Sequence, residues 1–235
     1  MDGYDDHHGA LFMNDTLEFD GIELSYGTQR ILCGIYMKCA VGEVVGILGR
    51  NGSGKSSLFK VIFGSQPAEH RSIRMNGSPL PGDFIRRQII GYLPQDNLIP
   101  PHITIAEAFD LFRIERTEIL KTFPDVYEQL NLKPNEISGG YRRVIELLLI
   151  LKARSRFCLL DEPFSGVMPA HIDQIKKMLT EAKVQKGIIL TDHLYRNVMS
   201  ISERLYILSN GSTYPVRNHD DLISRGYLGP NQPTR

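Results

Sequence analysis

The 235-residue sequence is poor in the features that mark secreted, membrane-spanning or nucleic-acid-coating chains. Three cysteines, Cys33, Cys39 and Cys158, are too few and too odd in number for a disulfide framework. A reducing cytosol is the expected compartment. No apolar run approaches the roughly 18 residues of a membrane-spanning helix; the longest, Val144 to Leu151, is interrupted by Glu146. The 27 basic side chains are matched by 27 acidic ones. The basic excess of a nucleic-acid binder is missing, and no nucleic-acid partner is expected. Internal repeats and low-complexity tracts are absent, and the acidic, His-rich N-terminus does not read as a signal peptide. What remains is 42% apolar and 23% charged, the composition of one ordinary globular domain, or one with a small insertion.

Residues Met1 to Asn14 read as a disordered leader, with Met13 an equally good start, and 229–235 as a fraying tail. Between them, strands and helices alternate. Leu17 to Tyr26 alternates apolar and polar positions with a break at Gly21, a strand bulged at the glycine. Ile31 to Ala40 follows as a second strand. Val44-Val45-Gly46-Ile47-Leu48 has the near-continuous apolar character of a strand buried on both faces. Phe157 to Leu160 and Ile188 to Leu190 are further short apolar runs, with a helix from Ala170 to Lys183 between them. Arg204 to Leu208 and Thr213 to Arg217 flank Asn210-Gly211, a hairpin signal. From Ile103 to Asn135 the apolar residues, Ile119 and Leu120 among them, recur at three and four. That stretch predicts two or three helices and no strand, a helical subdomain inserted in a sheet-centred α/β domain.

The sharpest motif is Gly49-Arg50-Asn51-Gly52-Ser53-Gly54-Lys55-Ser56, with Ser57 next in line. It fits G-x-x-x-x-G-K-[ST], with a strand before it and a helical pattern (Lys55 to Phe63) after it. Glycines let the backbone wrap an oxyanion with its N–H groups inward, and the helix adds its positive end. Lys55 would reach the β- and γ-phosphates and Ser56 would ligate Mg²⁺. The second motif is Phe157-Cys158-Leu159-Leu160-Asp161-Glu162-Pro163. Alone, an Asp-Glu pair ending a strand is an ordinary solvated edge. Beside a P-loop, Asp161 reads as the Mg²⁺ carboxylate and Glu162 as the group that polarises the attacking water.

Ile137-Ser138-Gly139-Gly140-Tyr141 would by itself be a helix cap. In order with the P-loop and Asp161-Glu162 it resembles the Leu-Ser-Gly-Gly-Gln signature of ABC-type ATPases, with Ile137 for Leu and Tyr141 for Gln. Tyr26 then matches the aromatic that stacks on adenine, Gln95 the loop glutamine that ligates Mg²⁺, and His193 the switch histidine at the γ-phosphate. Ser165-Gly166-Val167-Met168 stands at the D-loop, where the family usually ends in Asp and this sequence has Met168. The resemblance covers roughly Leu17 to Leu228. Asp161 to Val167, Thr191-Asp192-His193 and Gly226 to Gly229 look closest to the ATPases of lipopolysaccharide export and branched-chain amino-acid import.

The resemblance implies a P-loop NTPase core with a mostly parallel central sheet, an N-terminal antiparallel β-subdomain and a helical subdomain at about 96–153, within a domain spanning 15–228. It implies ATP and Mg²⁺ as ligands, and Glu162, His193 and Lys55 as the reacting machinery. It also implies a head-to-tail homodimer in which Ser138, Gly139 and Gly140 of one copy cap the ATP held by Lys55 of the other. Integral membrane subunits are the implied partners, with the chain peripheral on the inner face of the cell membrane. A soluble ABC ATPase, for example of the iron–sulfur assembly type, and a weakly active regulatory ATPase are the alternatives.

Overall fold

The computed structural model describes residues 15–80, 82, 84, 85, 87–115, 117 and 123–229. The expected leader, the tail from 230, and Ile119 and Leu120 of the helical stretch lie outside the described residues. The strands are β1 (Thr16–Tyr26), β2 (Gln29–Ala40), β3 (Val44–Leu48), β4 (His70–Met75), β5 (Ser78–Pro79), β6 (Ile90–Leu93), β7 (Phe157–Asp161), β8 (Gly187–Thr191), β9 (Arg204–Ser209) and β10 (Ser212–Val216). The α-helices are α1 (Lys55–Phe63), α2 (Ile105–Leu111), α3 (Gly139–Lys152), α4 (Pro169–Lys183), α5 (Tyr195–Ile201) and α6 (His219–Ser224).

Two sheets organise the chain. The larger has strand order β10-β9-β3-β8-β7-β6; β9, β3, β8, β7 and β6 run parallel, and β10 closes one edge as an antiparallel hairpin strand. The smaller sheet, β2-β1-β4-β5, is antiparallel throughout. Its register slips between Asp20 and Ile22, where Gly21 takes a φ of 62° as the expected bulge.

β3, β7 and β8 are buried at every residue because the large sheet is covered on both faces. Alternate side chains of β7 separate accordingly. Cys158 and Leu160 pack with α3, α4 and α5 on one side. Phe157 and Leu159 pack with α1 and the antiparallel sheet on the other. Gly46 is needed at the centre of β3: a Cβ there would sit 2.6 Å from Val198 Cγ1 and 2.7 Å from Leu205 Cδ2, so its absence lets α5 lie close on the strand.

Strand order does the functional positioning. The C-terminal ends of β3, β8, β7 and β6 stand side by side, so the P-loop, His193, Asp161-Glu162 and Gln95 emerge in a row along one edge. Open parallel sheets bind ligands at that edge.

Between Ile103 and Asn135 the described residues hold α2, a helical residue at Thr117 and no strand. The rest that is described includes 3₁₀ turns at Pro124–Gln129 and Pro134–Glu136. Proline supplies no backbone N–H and blocks a helix continuing from upstream, so the apolar spacing is satisfied by short turns. β4 and β6 went unread in the sequence. β4 (His-Arg-Ser-Ile-Arg-Met) carries three cationic or ionisable side chains and one buried residue, and β6 is four residues long with a central glycine. Neither supplies a periodic apolar signal.

Candidate active site

The cradle is local. Leu48 ends β3, and Lys55 starts α1 after Gly54, whose φ of 100° is a left-handed value that a side chain would strain. Lys55 Nζ folds back onto the carbonyls of Gly49 (2.8 Å) and Arg50 (3.1 Å). Burial pulls the Lys55 ammonium below its ordinary pKa, opposed by the charges of Asp161, Glu162 and Asp192. The sheet has thus brought the lysine to the carboxylates.

Asp161 is 1% exposed. Burial raises its pKa first; the Ser56 hydroxyl lowers it, Glu162 raises it, and Arg143 and Lys55 lower it. Its Oδ2 is buried with no hydrogen-bond partner, as is the Oγ of Ser53 in the loop. A buried carboxylate oxygen left unpaired beside a serine hydroxyl and a lysine is costly by itself. It suits a hard divalent cation, which takes oxygen donors. The residues present therefore fit a Mg²⁺–nucleotide pair.

Glu162 adopts a left-handed backbone, φ 56°, held by its N–H donating to Thr191 O at 2.8 Å. Gln95 Nε2 donates to Glu162 Oε2 at 3.3 Å, and His193 Nδ1 lies 3.8 Å from the same oxygen. Three residues from three separate strand ends thus meet at one carboxylate. Asp192, which the sequence reading left without a role, clamps two of these loops. It is buried and accepts from Phe164 N (2.8 Å) and Leu194 N (2.9 Å). Burial pushes its pKa up, and those two N–H groups hold it down.

Tyr26 ends β1 and is 52% exposed. The strand it pairs with starts at Gln29, and Gln29 to Ile31 share a cavity of about 290 Å³ with Arg50 to Ser53 of the P-loop. Ser138 caps α3, its hydroxyl accepting from Tyr141 N at 3.3 Å. Ser138, Gly139 and Gly140 line a second cavity, of about 510 Å³, with Gln95, Ser165 and Met168. A Cβ on Gly140 would sit 2.2 Å from Gly166 O, so the signature glycine packs directly on the D-loop backbone. The structure brings Lys55, Asp161, Glu162, Gln95 and His193 together. Among the described residues, no hydrogen bond joins 138–140 to the P-loop.

Met168 caps α4 without a side-chain hydrogen bond and is 63% exposed. An Asp there would offer a carboxylate to the backbone N–H groups of the first turn and complement the helix dipole. Met168→Asp is expected to stabilise the fold by about 1 kcal/mol, a rise of roughly 2–4 °C in Tm, read by thermal unfolding of the ligand-free protein. A lowered Tm would mean that the methionine is held by packing.

Arg143 and Glu146 were also missed as site residues. Both are buried on α3, at 6% and 1% exposure. The available signal was the charge itself, two ionisable residues three apart at the start of an apolar run.

A family model described as "ABC transporter" matches residues 32–165. The lipopolysaccharide export system ATP-binding protein LptB of Haemophilus influenzae is 31% identical over 91% of this chain and 97% of its own length. Its Escherichia coli K12 counterpart is 30% identical with the same coverage. A solved ATP-binding subunit of an ABC transporter superposes with a TM-score of 0.78 at 24% identity, covering 91% of this chain and 94% of that one. A bacterial Atm1-family ABC exporter with ATP bound gives 0.79 at 19% identity, over 92% of this chain and 41% of the exporter. Those two likenesses concern the fold. The family model and the sequence relatives carry the assignment: this chain belongs to the ABC transporter family, as one of its ATP-binding ATPases.

Proposed function

We propose that the chain energises a membrane transporter by binding and hydrolysing ATP as a head-to-tail homodimer. The observation that carries this reading is the meeting of Gln95 and His193 at Glu162 beside Lys55 and Asp161, with the signature glycines packed elsewhere. One chain has the phosphate cradle and the carboxylates, while Ser138, Gly139 and Gly140 are free to cap a nucleotide on a second copy.

The N–H groups of Gly49 to Ser57 cradle the phosphates, and Lys55 leaves its two carbonyl partners for the β- and γ-oxygens. Tyr26 offers its exposed ring to adenine. Ser56, Gln95 and Asp161 would hold Mg²⁺, which when bound supplies positive charge across the β- and γ-phosphates. Glu162 orients the attacking water and accepts its proton, Gln95 and Asp192 keep the surrounding loops in register, and His193 supports the γ-phosphate oxygens. The working unit is residues 15–228, with about 96–153 as its helical insertion.

No helix among the described residues is long and apolar enough to cross a membrane. Attachment on the inner face of the cell membrane would come through separate subunits. Leu111 and Tyr127 of the helical insertion stand exposed and, with Gln95, suit the apolar face of a cytoplasmic helix from such a subunit. The names of the two LptB relatives point to export of a lipid-linked cargo, chosen by the membrane subunits. Pull-down from a detergent extract tests the reading: a multi-helix membrane protein should co-purify, and Leu111→Glu should lower its recovery. ATP turnover with no membrane protein retained would favour a soluble ATPase. Met168 at the D-loop favours a second reading, a weakly active regulatory ATPase, which turnover close to background would support.

A further inference from the structure

Arg143 binds three backbone carbonyls that the parallel ladder leaves over. Its Nη1 donates to Pro94 O at 2.7 Å, its Nε to Glu162 O at 3.2 Å, and its Nη2 to Asp161 O. Pro94 follows β6, and Asp161-Glu162 ends β7, the adjacent strand. One planar guanidinium therefore fastens the ends of two strands, and only Arg offers that fork of donors. Glu146, three residues on, holds the other side. Its Oε2 is 3.4 Å from Arg143 Nη1, and its Oε1 accepts from Leu98 N (2.9 Å) and Ile99 N (3.3 Å). The loop that carries Gln95 is thus gripped at Pro94 by the arginine and at Leu98 and Ile99 by the glutamate.

A buried ion pair gives little net stability compared with a well-packed apolar pair. What this one adds is direction. It gathers the carbonyls on either side of the Glu162 Cα, where the backbone turns to a φ of 56° and aims the Glu162 carboxylate. We propose that Arg143, held by Glu146, is a positioning residue for Glu162, tying the Gln95 loop to the carboxylate end of β7 so that the two move as one piece. A push on that loop then reaches Glu162 through two side chains of α3, the helix that begins at the signature glycines.

The inference rests on Glu162 acting on water, and kinetics of the full-length protein separate the two. Arg143→Lys keeps the charge and loses the fork; Glu146→Gln keeps an acceptor for Leu98 and Ile99 and loses the charge on Arg143. Each is expected to lower kcat about 10-fold or more, as loss of a group that orients a reacting side chain does. KM for ATP should stay within about threefold of wild type, since neither residue touches the cradle. In a Glu162→Gln background, Arg143→Lys should lower the residual turnover no further, because a residue acting only through Glu162 has nothing left to position. A folded Arg143→Lys and a folded Glu146→Gln with wild-type kcat, or a full additional loss in the Glu162→Gln background, overturns the inference. An unchanged rate in Glu162→Gln alone overturns the reading beneath it. If Arg143→Lys does not fold, Glu146→Gln alone decides, by the same kcat and KM criteria.

Discussion

Glu162→Gln is expected to lower ATP turnover by about 10²–10⁴-fold, the usual worth of a positioned general base, while leaving ATP affinity within a few-fold of wild type. The amide has the shape of the carboxylate and keeps an oxygen for the Gln95 donor now 3.3 Å away. The phosphate-holding groups, Lys55 and the loop N–H donors, are untouched. The change removes the carboxylate 3.8 Å from His193 Nδ1 that can take a proton from water; Asp161 is buried against Ser56, and Asp192, 3.4 Å from the same nitrogen, is occupied by the N–H groups of Phe164 and Leu194. With ATP bound and cleavage blocked, the contacts that the proposed dimer makes from Ser138 and Gly140 to a partner's γ-phosphate would persist, so a dimer should accumulate on size exclusion with light scattering. Turnover at the wild-type rate would remove Glu162 from the chemistry.

Lys55→Ala is expected to weaken nucleotide binding by about 100-fold or more. A charge-assisted hydrogen bond is worth about 1.5–3 kcal/mol, and one such bond to each of two phosphates brings the loss to several kcal/mol. Titration with a fluorescent ATP analogue, alongside circular dichroism to check the fold, measures the effect. Equal affinity would mean that the glycine-rich turn is only a structural turn.

The parts of this site that read directly from the sequence are those whose chemistry is contiguous. Gly49 to Ser56 form the proposed phosphate cradle as one loop, so strand, glycines, lysine and helix appear in a row, and α1 begins and ends where the spacing predicts. Asp161-Glu162 is legible because a buried strand delivers it. Gln95 and His193 are ordinary loop residues one at a time; only their order relative to the P-loop and signature singled them out. Arg143, Glu146 and Asp192 stayed silent because their partners are backbone carbonyls and N–H groups of distant loops, which leave no residue-type pattern. Between Ile103 and Asn135 apolar spacing reports which residues are buried, while Pro124 and Pro134 open the two tight turns found there.

The amino-acid order alone determined the building blocks: a strand buried on both faces, a phosphate-wrapping turn, an apolar strand tipped with two acids, and a capped helix opening on glycines. Each is a consequence of side-chain periodicity and local backbone freedom, and needs no distant neighbour. Tertiary structure decided that β3, β8, β7 and β6 lie side by side in that order, so that four loops scattered along the chain face one carboxylate. It also decided that Gly140 packs on Gly166 and that one arginine binds the ends of two strands. Strand order and buried polar contacts are settled by how the whole chain covers its apolar surface and satisfies its buried backbone groups, a condition that no local stretch can meet on its own.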